Sequence, residues 1–73
     1  MILKGVKSLV YLELRNGKSG YYVTLVDDEN YIRYTFFSKK RYELEKGTRV
    51  VPCLDIYYFD GRLNIRLSDL EVV

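Results

Sequence analysis

An all-β domain of five antiparallel strands, with little or no helix, is the fold this sequence predicts, and three observations predict it. Apolar residues recur with a period of two almost throughout. The periodic runs are rich in β-branched and aromatic residues, with eight Tyr and three Phe in 73 residues, types that suit a pleated, half-buried surface. Turn clusters such as Asn16-Gly17, Asp27-Asp28-Glu29-Asn30 and Asp60-Gly61 punctuate the runs at short intervals.

The first strand is expected over residues 6–15, where Val10, Leu12 and Leu14 alternate with Tyr11, Glu13 and Arg15. Residues 16–20 make a flexible turn with two glycines able to take positive φ. The second strand covers 21–26 and is apolar on both faces. An acidic turn leads into the third, 31–37, where Ile32, Tyr34 and Phe36 share one face and Tyr31, Arg33, Thr35 and Phe37 the other. If the first set packs inward, the second forms a stripe outside; a one-residue slip would exchange them. Residues 38–47 have no clear period and suit either a helical turn or a β-loop. The fourth strand, 48–59, is long, and Pro52 marks an edge, a bulge or a bend within it. Asp60-Gly61 reads as a two-residue type I′ hairpin. The fifth strand follows with Leu63, Ile65 and Leu67 on one face, and Leu70, Val72 and Val73 form an apolar tail that extends it or packs across a dimer. A meander of three strands, a longer connection and a final hairpin favour a small oligonucleotide-binding (OB)-like barrel over an SH3-like one, with residues 1–73 forming a single domain.

Composition narrows the function. One cysteine precludes a disulfide within the chain, and one Cys with no His cannot supply the four soft ligands of a structural zinc. Association with a second copy is the remaining aid to so small a core, so a homodimer is expected. Cys53, in the apolar run Val50-Val51-Pro52-Cys53-Leu54, reads as a buried small hydrophobe. No stretch is apolar enough for a signal peptide or a membrane span, which points to a soluble protein of the cytoplasm. No enzyme is expected: there is no His to act as a base and no G-x-S-x-G context around a serine. The glycines form no phosphate loop, and Asp27, Asp28 and Glu29 read as a solvated turn rather than a metal site. No cofactor is implied.

The net charge of +2 says little, but residues 31–42 carry Arg33, Lys39, Lys40 and Arg41 with no acid. Unpaired bases stack on aromatic rings for about 1–3 kcal/mol each, while cations along the path hold phosphates. Tyr31, Arg33 and Phe37 on the third strand, with Lys39, Lys40 and Arg41 beside them, meet that requirement. Arg15 and Lys18 in the first loop, Tyr22 on the second strand, and Tyr57 and Arg62 beside the last hairpin complete the candidate set. Asp55, on the expected face of Tyr57, would repel a phosphate there. The expected partner is single-stranded DNA. The alternatives are RNA on the same platform and a protein-interaction module using the rings as contact area.

In the approach of Gly17-Lys18-Ser19-Gly20-Tyr21 to the second strand, and in the run from Lys46-Gly47-Thr48 through Asp60-Gly61 to Leu70-Glu71-Val72, the chain resembles the small single-stranded-DNA-binding proteins of bacteriophages, especially the filamentous-phage type. That resemblance implies a five-stranded OB barrel without a proper helix, a two-fold dimer that coats DNA cooperatively, and a role in phage or mobile-element replication. Carried over by position, it implies DNA contacts by Arg15, Lys18, Tyr22, Tyr31, Arg33 and Tyr57. The acidic turn at 27–29 and the short hairpin tip depart from the family pattern.

Overall fold

The computed structural model describes residues 2–4 and 7–73, with side chains from residue 7 onward. Its strands are β1 (Ile2–Lys4), β2 (Leu9–Asn16), β3 (Tyr21–Asp27), β4 (Ile32–Ser38), β5 (Arg49–Phe59) and β6 (Arg62–Val72). The described residues contain no helix, and hence none long and apolar enough to cross a membrane. The five expected strands correspond to β2 through β6. The start expected at Val6 lies outside the described residues. The three-residue β1 is an addition, too short to show a period in the sequence.

All pairs are antiparallel, and the order runs β1-β5-β2-β3-β4, with β6 on β5. Placing β5 beside β2, ahead of the meander β2-β3-β4, is the Greek-key order of the OB-like class. The sheet curls until β4 lies alongside β6, but no ladder joins those two strands. The result is a curled sheet with an open seam rather than a closed barrel.

The curl requires β5 to bend. Its N-terminal end pairs with β2 through Val50 and Arg49, and its middle pairs with β1 from Cys53 to Asp55. Pro52, which has no N–H to donate, falls between those two ladders. On the other edge the register with β6 shifts between Cys53 and Leu54. The Ser68 hydroxyl donates to the Cys53 carbonyl at 3.0 Å and stitches this bulge. Cys53 itself is buried.

A second bulge, between Tyr11 and Glu13 in β2, corrects the expected face assignment. Leu9 and Tyr11 face the core; past the extra residue Leu12 the inward position passes to Leu14. Tyr11 is therefore core, not surface. Val23, Leu25, Val50 and Leu67 fill the centre. The irregular stretch after β4 forms no helical turn and supplies a plug instead: Tyr42 is buried in the core, with Leu44 packed against it. Its burial pushes the Tyr42 phenol above the ordinary tyrosine range. This stretch is anchored by backbone bonds from Gly47 N–H to the Tyr11 carbonyl and from Tyr11 N–H to the Thr48 carbonyl, both 2.8 Å.

The acidic turn is solvated as expected at Asp28 and Glu29, which are exposed, but not at Asp27. Asp27 is only 3% exposed. Its carboxylate accepts from Lys7 Nζ at 2.8 Å, from the Asn30 side chain at 3.0 Å, and from the Glu29 and Asn30 backbone N–H groups. Next to it, Asp28 accepts from Arg49 on β5 at 2.6 Å, and Arg49 also donates to Ser8. The turn is thereby tied to the segment entering β2 and to β5. No group of acidic or thiol side chains among the described residues is arranged to hold a metal.

The Lys7 ammonium, followed by the Asn30 amide, holds the Asp27 carboxyl well below the usual carboxylate range. A carboxylate whose folded pKa is depressed contributes stability that is fully present above its unfolded pKa and is lost as pH falls toward the folded one. Stability should therefore decline as pH drops below about 4. Asp27→Asn should be less stable than the native chain at pH 7, and the gap should narrow toward pH 2. Urea midpoints across that range test this, and parallel pH profiles for the two proteins would contradict it.

Candidate nucleic-acid interface

On the outer face of the meander, three rows run across β2, β3 and β4. Arg15, Tyr22 and Phe37 are direct cross-strand neighbours, as are Glu13, Thr24 and Thr35, and Val10, Val26 and Arg33. Residues opposite one another in a ladder point to the same side, so the pairing itself assembles Arg15, Tyr22, Arg33 and Phe37 on one surface. The expected stripe on β4 is present: Arg33, Thr35 and Phe37 face outward, while Ile32, Tyr34 and Phe36 line the inner side. Tyr34 and Phe36 border a groove of about 220 Å³ with Leu9, Pro52 and Leu54.

Tyr22 and Phe37 meet edge to face, with ring centroids 5.7 Å apart and planes at 70°. The loop beside them explains their placement. A Cβ on Gly17 would lie 2.8 Å from the Tyr22 ring, and one on Gly20 would lie 2.6 Å from the Ser38 carbonyl and 2.7 Å from the Phe37 ring. Neither glycine has positive φ, contrary to expectation; that role falls to Gly47 and Gly61. Gly17 and Gly20 instead supply room for the loop to sit against both rings. Gly17 N–H closes the loop on the Gly20 carbonyl at 2.8 Å.

Cations surround this aromatic pair. Lys18 and Lys39 line a shallow hollow of about 380 Å³ with the loop backbone. Ser38, fully buried, accepts from the Lys40 N–H and donates to the Lys40 carbonyl, a tight local turn that leaves Lys39 and Lys40 exposed. Lys18, Arg33, Lys39 and Arg62 form no ion pair among the described residues. Arg15, Lys40 and Arg41 face Glu13, Asp69 and Glu43 at 3.8, 3.4 and 3.6 Å. Exposed pairs of that length bind weakly, so these charges remain open to a competing anion.

The hairpin supplies a second region. Asp60 (φ 54°) and Gly61 (φ 72°) adopt the expected positive-φ turn. Asp55, Tyr57 and Phe59 lie on one side of the hairpin, opposite Arg66, Asn64 and Arg62 respectively. Tyr57 and Arg62 therefore belong to this face and not to the meander rows. Arg66, absent from the sequence-derived set, stacks on Tyr57 with its guanidinium carbon 4.9 Å from the ring centroid. The two residues are nine apart, and only the ladder register shows that they meet.

Tyr31 departs from its expected position. It belongs to the β3–β4 turn, not to β4, and has φ 57°, a region that costs an L-residue about 1–2 kcal/mol. The side chain is 87% exposed, so no packing on the protein accounts for a bulky ring there. Strain of this kind concentrates at functional positions.

Comparison with protein-family models, curated proteins and solved structures finds no match.

Replacing Tyr31 by Gly removes the strain at the cost of a more flexible unfolded chain. The expected outcome is a gain of about 0.5–1 kcal/mol in unfolding free energy, read from denaturant midpoints. Reduced stability would contradict the assignment of strain.

Proposed function

We propose that this protein binds single-stranded DNA, without sequence preference, across the outer face of β2, β3 and β4. The observation that carries the reading is the Arg15–Tyr22–Phe37 row, flanked by Lys18, Lys39 and Arg33, which form no ion pair among the described residues. Exposed ring faces accept any base, and cations along the edge accept phosphates, which is the chemistry of sequence-tolerant single-strand binding. The loop at residues 16–20 and the β5–β6 hairpin flank this face as the loops of an OB-like site do. Coating of replicating phage or mobile-element DNA is the corresponding role, given the sequence resemblance.

A homodimer belongs to the same proposal. Leu54, Ile56 and Tyr58 share one side of the hairpin with Leu67, Ile65 and Leu63. This side begins in the core at Leu67 and ends with Tyr58, Leu63 and Ile65 at 79%, 60% and 50% exposure. An apolar face of that kind on so small a chain fits contact with a second copy. A different protein partner on this face is the competing reading.

Intrinsic tyrosine fluorescence is a direct probe, because the chain has no Trp. Titration with oligo(dT) at low salt should give saturable quenching, and log affinity should fall linearly with log salt, by about 0.7 per phosphate contacted. Tyr22→Ala should weaken binding roughly tenfold, in line with about 1–3 kcal/mol per stacked base. Absence of quenching at low salt and micromolar protein would overturn the reading in favour of a protein-interaction module. Equal affinity for oligo(U) would extend the ligand to RNA.

A further inference from the structure

The open seam between β4 and β6 forms a groove of about 370 Å³ on the outer side of the sheet, lined by Lys39, Lys40, Asp55, Arg66, Leu67 and Ser68. Lys39 also lines the hollow beside the residue 16–20 loop. The seam is therefore the direct continuation of the proposed single-strand surface toward the Tyr57–Arg66 stack. Three cations and one carboxylate border it.

Arg66 is placed in an unusual way for a charged side chain on a strand. Its Nε and Nη2 both approach the same Asp55 oxygen, at 3.1 and 2.9 Å, and its plane rests against Tyr57. Guanidinium has five N–H donors in a rigid fork, so this one-oxygen grip orients the group without using all of its donors. Lys39 forms no ion pair among the described residues, and Lys40 makes a long contact to Asp69 at 3.4 Å and lies over the Tyr42 ring, 5.4 Å from its centroid.

We propose that the seam is a phosphate subsite for the same DNA strand, with Arg66 and Lys39 as its ligands and Asp55 as an internal competitor that holds Arg66 in place when the seam is empty. A phosphodiester entering the groove meets Arg66 preorganised on the Tyr57 ring and draws on its remaining donors, while the Asp55 charge opposes it. Asp55 thereby restrains affinity at this position and makes strand release easier. This inference rests on the single-strand reading, and the experiment separates the two.

Oligo(dT) binding is measured as a function of salt for the native protein and for Asp55→Asn, Arg66→Gln and Lys39→Gln, each checked for an unchanged circular dichroism spectrum. Asp55→Asn keeps a hydrogen-bond acceptor beside Arg66 but removes the opposing charge. The expected result is tighter binding, roughly three- to tenfold at low salt, with a salt slope steeper by about 0.7. Arg66→Gln and Lys39→Gln should each weaken binding by a similar factor and flatten the slope by about 0.7. Because Lys39 borders both surfaces, Asp55→Asn and Arg66→Gln test the seam itself, and Asp55→Asn carries the test even if Arg66→Gln disturbs the hairpin. Native binding with unchanged affinity and slope in Asp55→Asn and Arg66→Gln would overturn the seam site and leave the meander face intact. No binding by the native protein would overturn both.

Discussion

The arrangement depends on one constraint: β5 has to serve neighbours on both edges of a sheet that curls. It pairs with β2 and β1 along one edge and with β6 along the other. A straight strand of eleven residues could not follow the curl. Pro52 sits where neither β1 nor β2 pairs with β5, and the Ser68 bulge sits directly opposite the next residue, Cys53. The two irregularities together let the strand bend without leaving a buried donor unpaired. From that bend follow the enclosed Leu9–Tyr11–Val23–Leu25–Val50–Leu67 core, the seam between β4 and β6, and the division into inner and outer faces.

That division assigns the chemistry. The inner face holds most of the apolar side chains, and Tyr42 closes one end of it. The outer face is left with rings and charges that the core cannot use. Tyr22 and Phe37 meet edge to face beside a loop whose glycines leave room for both rings. The acidic residues are distributed to match: Asp27 and Asp28 are engaged in holding the β3–β4 turn, and Arg33, Lys18 and Lys39 form no ion pair among the described residues.

Much of this was legible in the sequence. Period-two alternation gave β3, β4 and β6, Asp60-Gly61 gave the hairpin, and Pro52 marked the irregularity in β5. The outward stripe of Arg33, Thr35 and Phe37 follows directly from the alternation in β4. What was hidden has a common cause. The Leu12 bulge exchanges faces halfway along β2, and a run of Val-Tyr-Leu-Glu-Leu shows no trace of it, so Tyr11 reads as surface although it is core. Arg66 meets Asp55 and Tyr57 through the cross-strand register that runs from the hairpin turn to Leu54–Leu67, ahead of the shift at Ser68. Asp27 appears as one of three interchangeable acids, yet only Asp27 lies at an inward position at the end of β3. Tyr31 looked like a strand residue because the alternation of β4 extends back through it; its backbone conformation is set by the turn. In each of these cases the local pattern was insufficient, and tertiary pairing or turn geometry decided the outcome.

The most direct test of the proposed outer-face interface is a residue-resolved footprint: amide chemical shifts followed by NMR as oligo(dT) is added. The prediction is that the largest shifts fall at Arg15, Lys18, Gly20, Tyr22, Arg33, Phe37 and Lys39, while Leu9, Val23, Leu25 and Val50 stay in place. Shifts confined to the inner-face groove around Tyr34, Phe36 and Leu54, or no shifts at all, would contradict it.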